Sequence, residues 1–391
     1  MAEKSSPFES SRIEVADQPD NSTEPLLCEV SWEVCQQVGG IYTVIRSRAP
    51  FMSKVWGRRY CVIGPYNPAT SPAEFEEQPM TGPFGEAAKV MRDAGLDVHY
   101  GIWLVTGRPK AVLLTPSSAI GKLADIKFKI WQHHHIALEH VEDMVNYVLA
   151  FGWLVEEFFR ILAWKQAGRR EIIGHFHEWM GATALPEIRH HKIPIATVFT
   201  THATQLARYM ALADPWLYDH LPFINWESES KRFDIDAKVK LERAAAHGAH
   251  VLTTVSDVTA IECEYLLGRK VDVVVPNGLN IERFVALHEF QNLHRLYKTK
   301  INEFVMGHFF PSYSFDLDQT MYFFTSGRYE YTNKGFDLTI EALARLNHRM
   351  KVEGIKKNVV FFLISRQPYR SINPTVLNSR ALMEELHKSC E

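Results

Sequence analysis

Short apolar runs alternating with helical patterns set the limits on what this chain can fold into. RRYCVIGPYN, LDVHYGIWLV, KAVLLTP, EIIGHFHEW, IPIATVFTTH, HVLTTVS, VDVVVPNGLN, MYFFTSGRY and VVFFLISRQ each hold a strand-length apolar segment. Several are continuously apolar, as strands covered on both faces must be. Between them lie helical patterns. Residues 133–168 read as one long helix with Gly152 as a break in it, 256–270 as a helix capped by Ser256, and 237–249 and 333–350 as two more. This alternation predicts an α/β fold, with parallel sheets and helices on both faces.

At 391 residues the chain exceeds what one core supports, so two domains are expected. The buried pattern VDVVV stops at Pro276, Asn277-Gly278 makes a turn, a polar helical stretch follows, and strand–helix alternation restarts at Met321. The expected division is a disordered polar tail over 1–24, a first domain over 25–280 and a second over 281–391. The second holds only two clear strands, fewer than such a sheet normally has, which is the expectation for a fragment or a truncated isoform.

Composition excludes several classes. A net charge of −3 with 23% charged residues gives no footprint for nucleic acid or a membrane surface. No run of 18 uncharged apolar residues exists to span a bilayer, and the polar N-terminus has no signal-peptide core. Five scattered cysteines without a CxxC pair fit reduced thiols in a cytoplasmic protein.

Four segments carry chemistry. In SWEVCQQVGGIYTV, Gly39 and Gly40 sit between a strand and a helix expected to stop before Pro50. Glycine permits close approach of backbone to ligand, and a helix N-terminus offers N–H groups to a phosphate; a plain turn is the alternative. HFHEWMG and FTTHATQLARYM put histidines at strand ends, where α/β sheets bind ligands. His202 and Arg208 lie across one strand-to-helix turn, and His175 and His177 suit either a substrate role or plain hydrogen bonding at a sheet edge. The run His133-His134-His135 fits a helix surface. In SGRYEYTNKG, Arg328 and Lys334 flank a glycine-opened helix, an arrangement suited to a diphosphate. Along HEFQNLHRLYKTKINEF, His288, Gln291, His294, Arg295 and Lys298 fall within an arc of roughly 120°, opposite Phe290, Leu293, Leu296 and Phe304. That face suits an anion or plain solvent.

Taken in order, VGGIYTV, HFHEW, FTTHAT…RY, ERAAAH.AHV.TTVS, PNGLN, HEFQNLH and GRYE..NKG resemble the animal and fungal glycogen synthases, from about Cys28 onward. The resemblance implies a GT-B fold, an N-terminal Rossmann-like domain and an incomplete second one, with UDP-glucose between them. It implies retaining transfer of glucose from UDP-glucose to the non-reducing end of glycogen, forming an α-1,4 bond, with no cofactor and no metal. Gly39 and Gly40 would let the backbone approach the donor, beside Gln37, which stands where the family has a UDP-contacting lysine. His202 and Arg208 would contact glucose and phosphate; Arg208, Arg328 and Lys334 would neutralise the leaving UDP. His288, Glu289, Gln291, His294 and Lys298 match the family's contacts to the activator glucose 6-phosphate. Glycogenin is the implied partner and a homotetramer the implied assembly. The family's Glu-x7-Glu carboxylate pair is not found in this chain, so turnover by residues 1–391 alone is not expected. The alternative is an inactive truncated isoform that binds glycogenin or full-length synthase. Sucrose or trehalose-phosphate synthesis on the same fold is disfavoured by HEFQNLH.

Overall fold

The computed structural model describes residues 23–281, 287–310 and 314–366, the side chains of 287–290 excepted. The tail expected over 1–24 therefore lies outside the described residues but for its last two. Two compact units emerge: the described chain up to Ala207 with Tyr218–Leu279, and Arg208–Leu217 with the described chain from Asn280 onward. No described helix is long and apolar enough to cross a membrane.

The first unit is built on one sheet of strands β1 (Leu26–Ser31), β2 (Tyr60–Pro65), β3 (Phe75–Glu77), β4 (Val98–Trp103), β5 (Lys110–Leu114), β6 (Ile172–His177), β7 (Ala196–Thr201), β8 (Val251–Thr254) and β9 (Val273–Val274). Their order is β3-β4-β5-β2-β1-β6-β7-β8-β9. The pairs from β5 through β9 are parallel, as the apolar runs predict. At the other edge β3, β4 and β5 pair antiparallel. The link from Trp103 to Lys110 is too short for a crossover helix, so β5 must turn straight back.

Strand β1 lies at the centre and is buried throughout. Leu26, Cys28 and Val30 join the larger apolar cluster, shared with helix Asp143–Gln166, whereas Leu27 faces the other, shared with helix Gly40–Trp56. Two-sided burial is why the strand shows so little alternation.

Three helical expectations change. The long helix over 133–168 is instead two helices, Leu123–His134 and Asp143–Gln166, the first ended by His135 in the left-handed conformation at φ 56°. Gly152 does not break the second helix; it lies within it, where a Cβ would come 2.3 Å from Thr183 Oγ1. Helix Gly40–Trp56 runs through Pro50 rather than stopping before it.

In the second unit, β10 (Thr320–Arg328) pairs parallel with β11 (Asn358–Arg366), joined through helix Phe336–Val352. Helix Leu287–Phe309 precedes them. Leu293, Leu296 and Phe304, the apolar side of that helix by sequence, are exposed, and Val305 is buried.

The contact at Gly152 yields a test with an informative sign. Helix propensity alone favours Gly→Ala by about 1 kcal/mol. Against Thr183 the added methyl is overpacked, at a cost of about 1–3 kcal/mol. Gly152→Ala is thus expected to lower the midpoint of chemical or thermal unfolding, and a rise would show that Thr183 yields freely.

Candidate active site

A carboxylate inside the central strand organises the C-terminal edge of the sheet. Glu29 is 1% exposed, and burial of a lone charge is prohibitive, so its partners matter. Arg48 Nη1, from helix Gly40–Trp56, lies 3.0 Å from Glu29 Oε1. Tyr60, at the start of β2, donates its hydroxyl to Oε2. His177 Nε2, at the end of β6, lies 2.7 Å from Oε1. Register makes this possible: Glu29 stands beside His175, and Ser31 beside His177, in the β1–β6 pairing. Burial opposes ionisation of Glu29, but Arg48 and the His177 hydrogen bond outweigh it and hold the carboxyl far below its ordinary range. Burial, then the neighbouring Glu29 charge, push the Tyr60 hydroxyl well up.

His177 donates its Nε2–H to the ionised Glu29, and its Nδ1 lies 3.3 Å from His202 Nε2. A line of carboxylate, imidazole and imidazole thus runs from the core to the strand edge. The His202 backbone N–H is held separately, donating to Glu178 Oε1 at 2.9 Å. Glu178 is buried and left-handed, at φ 57°, a conformation that costs an ordinary residue about 1–2 kcal/mol. His175 donates to or accepts from Thr200 Oγ1 at 2.7 Å. Burial, then the proximity of His177, push its pKa well below the ordinary histidine value. β6 is a central strand, so neither histidine sits at a sheet edge.

The helix N-termini along this edge carry carboxylates of the protein itself. Glu33 Oε2 accepts from the N–H groups of Gly39 at 2.7 Å and Tyr42 at 2.9 Å. Glu242 accepts from the N–H of Gln205 at 2.9 Å, and Glu262 from the hydroxyl of Thr204 at 2.9 Å, where helix Gln205–Ala213 opens. The amides expected to await a phosphate at Gly39-Gly40 are in part already used.

Of the residues singled out from sequence, Gln37 and Gly39 are exposed on the turn before helix Gly40–Trp56, and Gly40, also exposed, is the first residue of that helix. His202 ends the line from Glu29, and Arg208 follows on helix Gln205–Ala213. In the second unit Arg328, exposed, closes β10 and pairs with the half-buried Glu330 at 2.9 Å. Lys334 precedes Gly335, whose φ of 66° sets the start of helix Phe336–Val352. His294 and Lys298 line a groove of about 730 Å³ with Leu293, Tyr297, Ile301 and Tyr322, while Gln291 is exposed. The side chains of His288 and Glu289 lie outside the described residues.

Sequence reasoning missed Glu29, Glu33, Arg48, Tyr60 and Glu178. The signal for Glu29 was there: an acidic residue inside LLCEVS, a strand otherwise apolar, demands buried partners. Glu29, His175 and His177 offer three ligand atoms within 4.8 Å of one another, but Arg48 already supplies Glu29 with its counter-charge.

The glycogen synthase family model matches residues 29–391. This chain belongs to the glycogen synthase family. It is 41% identical over 375 residues to a glycogen [starch] synthase of Neurospora crassa, covering 96% of this chain and 53% of that protein. With the liver form of Rattus norvegicus it shares 41% over 362 residues, 92% of this chain and 51% of the relative. The chain spans about half the length of the glycogen synthases it matches. Among solved structures, an α,α-trehalose-phosphate synthase (UDP-forming) from Burkholderia xenovorans in complex with glucose 6-phosphate covers 93% of this chain and 70% of its own. It matches at 12% identity and a TM-score of 0.43, a likeness too distant to carry an argument.

The depressed His175 pKa gives a pH dependence. Unfolded, the ring takes a proton near pH 6.5; folded, it resists until well below that. Its contribution to stability is complete above pH 6.5 and is lost as pH falls toward the folded value. Unfolding free energy is expected to fall by up to about 1.4 kcal/mol per pH unit in that window through this one proton. His175→Asn should flatten the slope in urea titrations across the window. An unchanged slope would assign the proton to another group.

Proposed function

We propose that this protein transfers glucose from UDP-glucose to the non-reducing end of glycogen, with retention and an α-1,4 product, on a GT-B framework. What carries the reading is family membership across residues 29–391 together with a buried Glu29–His177 pair that orients His202 at the strand edge. His202 is assigned to the glucosyl group, where the carboxylate behind it supports positive charge as the anomeric centre loses UDP. Arg208, Arg328 and Lys334 are assigned to the diphosphate. Side-chain cations suit that task here, because Glu33, Glu242 and Glu262 already accept from the backbone N–H groups of Gly39, Gln205 and Thr204. Gln37, Gly39 and Gly40 are assigned to the donor's approach, Gln37 without the charge of the family lysine.

Calorimetry with UDP-glucose on the 391-residue chain is the primary test. Saturable binding is expected, weakened about tenfold or more by Arg328→Ala, the scale of one charge-assisted contact. Radiolabel transfer to glycogen then separates two readings. Incorporation makes the chain a synthase in its own right; binding without incorporation makes it a donor-binding module, with glycogenin or a longer synthase as its partner. Neither binding nor incorporation overturns both.

The groove with His294 and Lys298 is assigned to glucose 6-phosphate, with His288, Glu289 and Gln291 on the same helix. Its apolar wall accounts for a sugar ring and its two nitrogen groups for a phosphate. The double substitution His294→Ala, Lys298→Ala is expected to weaken glucose 6-phosphate binding at least about tenfold while leaving UDP-glucose binding unchanged. An unshifted isotherm returns this face to solvent. The family reading also assigns a homotetramer in the cytoplasm, open to light scattering and fractionation.

A further inference from the structure

Away from the strand edge, four imidazoles and two carboxylates converge where three helices meet. His133 and His134 lie in the last turn of helix Leu123–His134, His190 and His191 at the end of helix Leu185–His190, and Glu156 within helix Asp143–Gln166. Glu187, on the second of these helices, is buried beneath them. Its carboxylate lies 3.0 Å from His133 Nδ1, 2.6 Å from His134 Nε2 and 3.9 Å from His191 Nδ1. Glu156 Oε1 lies 2.7 Å from the same His191 nitrogen. The rings of His133 and His190 stack at 3.7 Å, a contact that two protonated imidazoles would repel.

We propose that His133, His190, His191 and Glu187 bind one divalent transition ion of the zinc class, with Glu156 and His134 as hydrogen-bonding outer partners. Ligand atoms of His133, His190 and His191 already lie within 4.8 Å of one another, as do those of Glu156, Glu187 and His191. A tetrahedral zinc site needs them about 3.3 Å apart, given bonds of about 2.0–2.1 Å. His190 and His191 are exposed and can turn inward, exchanging the ring stack for coordination. The chemistry matches: imidazole and carboxylate donors suit zinc, and two carboxylates balance its charge. Helix Leu123–His134 also directs its negative C-terminal end at the site. A carboxylate behind a ligating histidine is a recurrent outer-shell device. A bound ion would tie helix Leu123–His134 to helix Leu185–His190, with Glu156 of helix Asp143–Gln166 as an outer partner.

The test is zinc titration of the purified 391-residue chain by calorimetry, with elemental analysis after dialysis. One equivalent is expected. His190→Ala with His191→Ala, both exposed, should weaken binding by about 100-fold, whereas His175→Asn, which alters the Glu29–His175–His177 group, should not. Cobalt(II) substitution in the unaltered chain reads the ligand field directly, so the answer does not depend on how a variant folds. Intense four-coordinate d–d bands are expected. No retained metal, loss only in His175→Asn, or the weak spectrum of hexaaqua-like cobalt would each overturn the site.

Discussion

Burying a carboxylate in the middle of a parallel sheet is costly unless every oxygen finds a partner, and Glu29 draws its partners from three elements. Arg48 comes from the helix after β1, Tyr60 from β2 and His177 from β6. Each contact is also a constraint: the helix must lie over this face of β1, and both neighbouring strands must keep their register. Losing one member of a fully buried pair costs about 3–5 kcal/mol. The figure is smaller here, because the Arg48 side chain keeps 33% of its surface in water. What distinguishes the arrangement is its direction. The charge sits in the core, yet through His177 it acts on His202, at the edge where α/β sheets bind ligands.

The same carboxylate chemistry recurs along that edge. Glu33 holds Gly39 and Tyr42, Glu178 holds His202, and Glu242 and Glu262 hold the start of helix Gln205–Ala213. Bonds of this kind make strand-to-helix turns rigid, at the cost of amides that an anion could otherwise use. The proposed function accordingly assigns the diphosphate to side-chain cations, Arg208, Arg328 and Lys334, and not to helix amides. On two of the helices Glu187 and Glu156 do the converse for imidazoles. There the carboxylates position a histidine cluster, whereas at the strand ends Glu29 orients a single ring, that of His177.

Much of the plan is written in the sequence as pattern. Strand-length apolar segments announce strands, and β2, β5, β6, β7 and β8 all appear where such segments occur. Ser256 caps its helix as its position suggests, accepting from the Thr259 N–H at 3.2 Å. The order of motifs from VGGIYTV to GRYE..NKG identifies the family without any structure, because spacing and residue type survive where contacts cannot be seen. Local rules failed where a neighbour overrode them. Gly152 reads as a helix break but is required by Thr183, and Pro50 reads as a stop but falls inside a packed helix.

Partnership was decided by tertiary structure alone. Glu29 and His177 are 148 residues apart in the chain, and His133 and Glu187 are 54 apart. No period or motif links them; parallel pairing of β1 with β6 joins the first two, and packing of helices on the sheet joins the second. The sequence by itself determined an α/β chain of the glycogen synthase family, with its candidate histidines and cations at strand ends. Which histidine leans on which carboxylate, and which helix amides remain for a ligand, depended on three-dimensional proximity, because hydrogen bonds act over about 3 Å and are indifferent to distance along the chain.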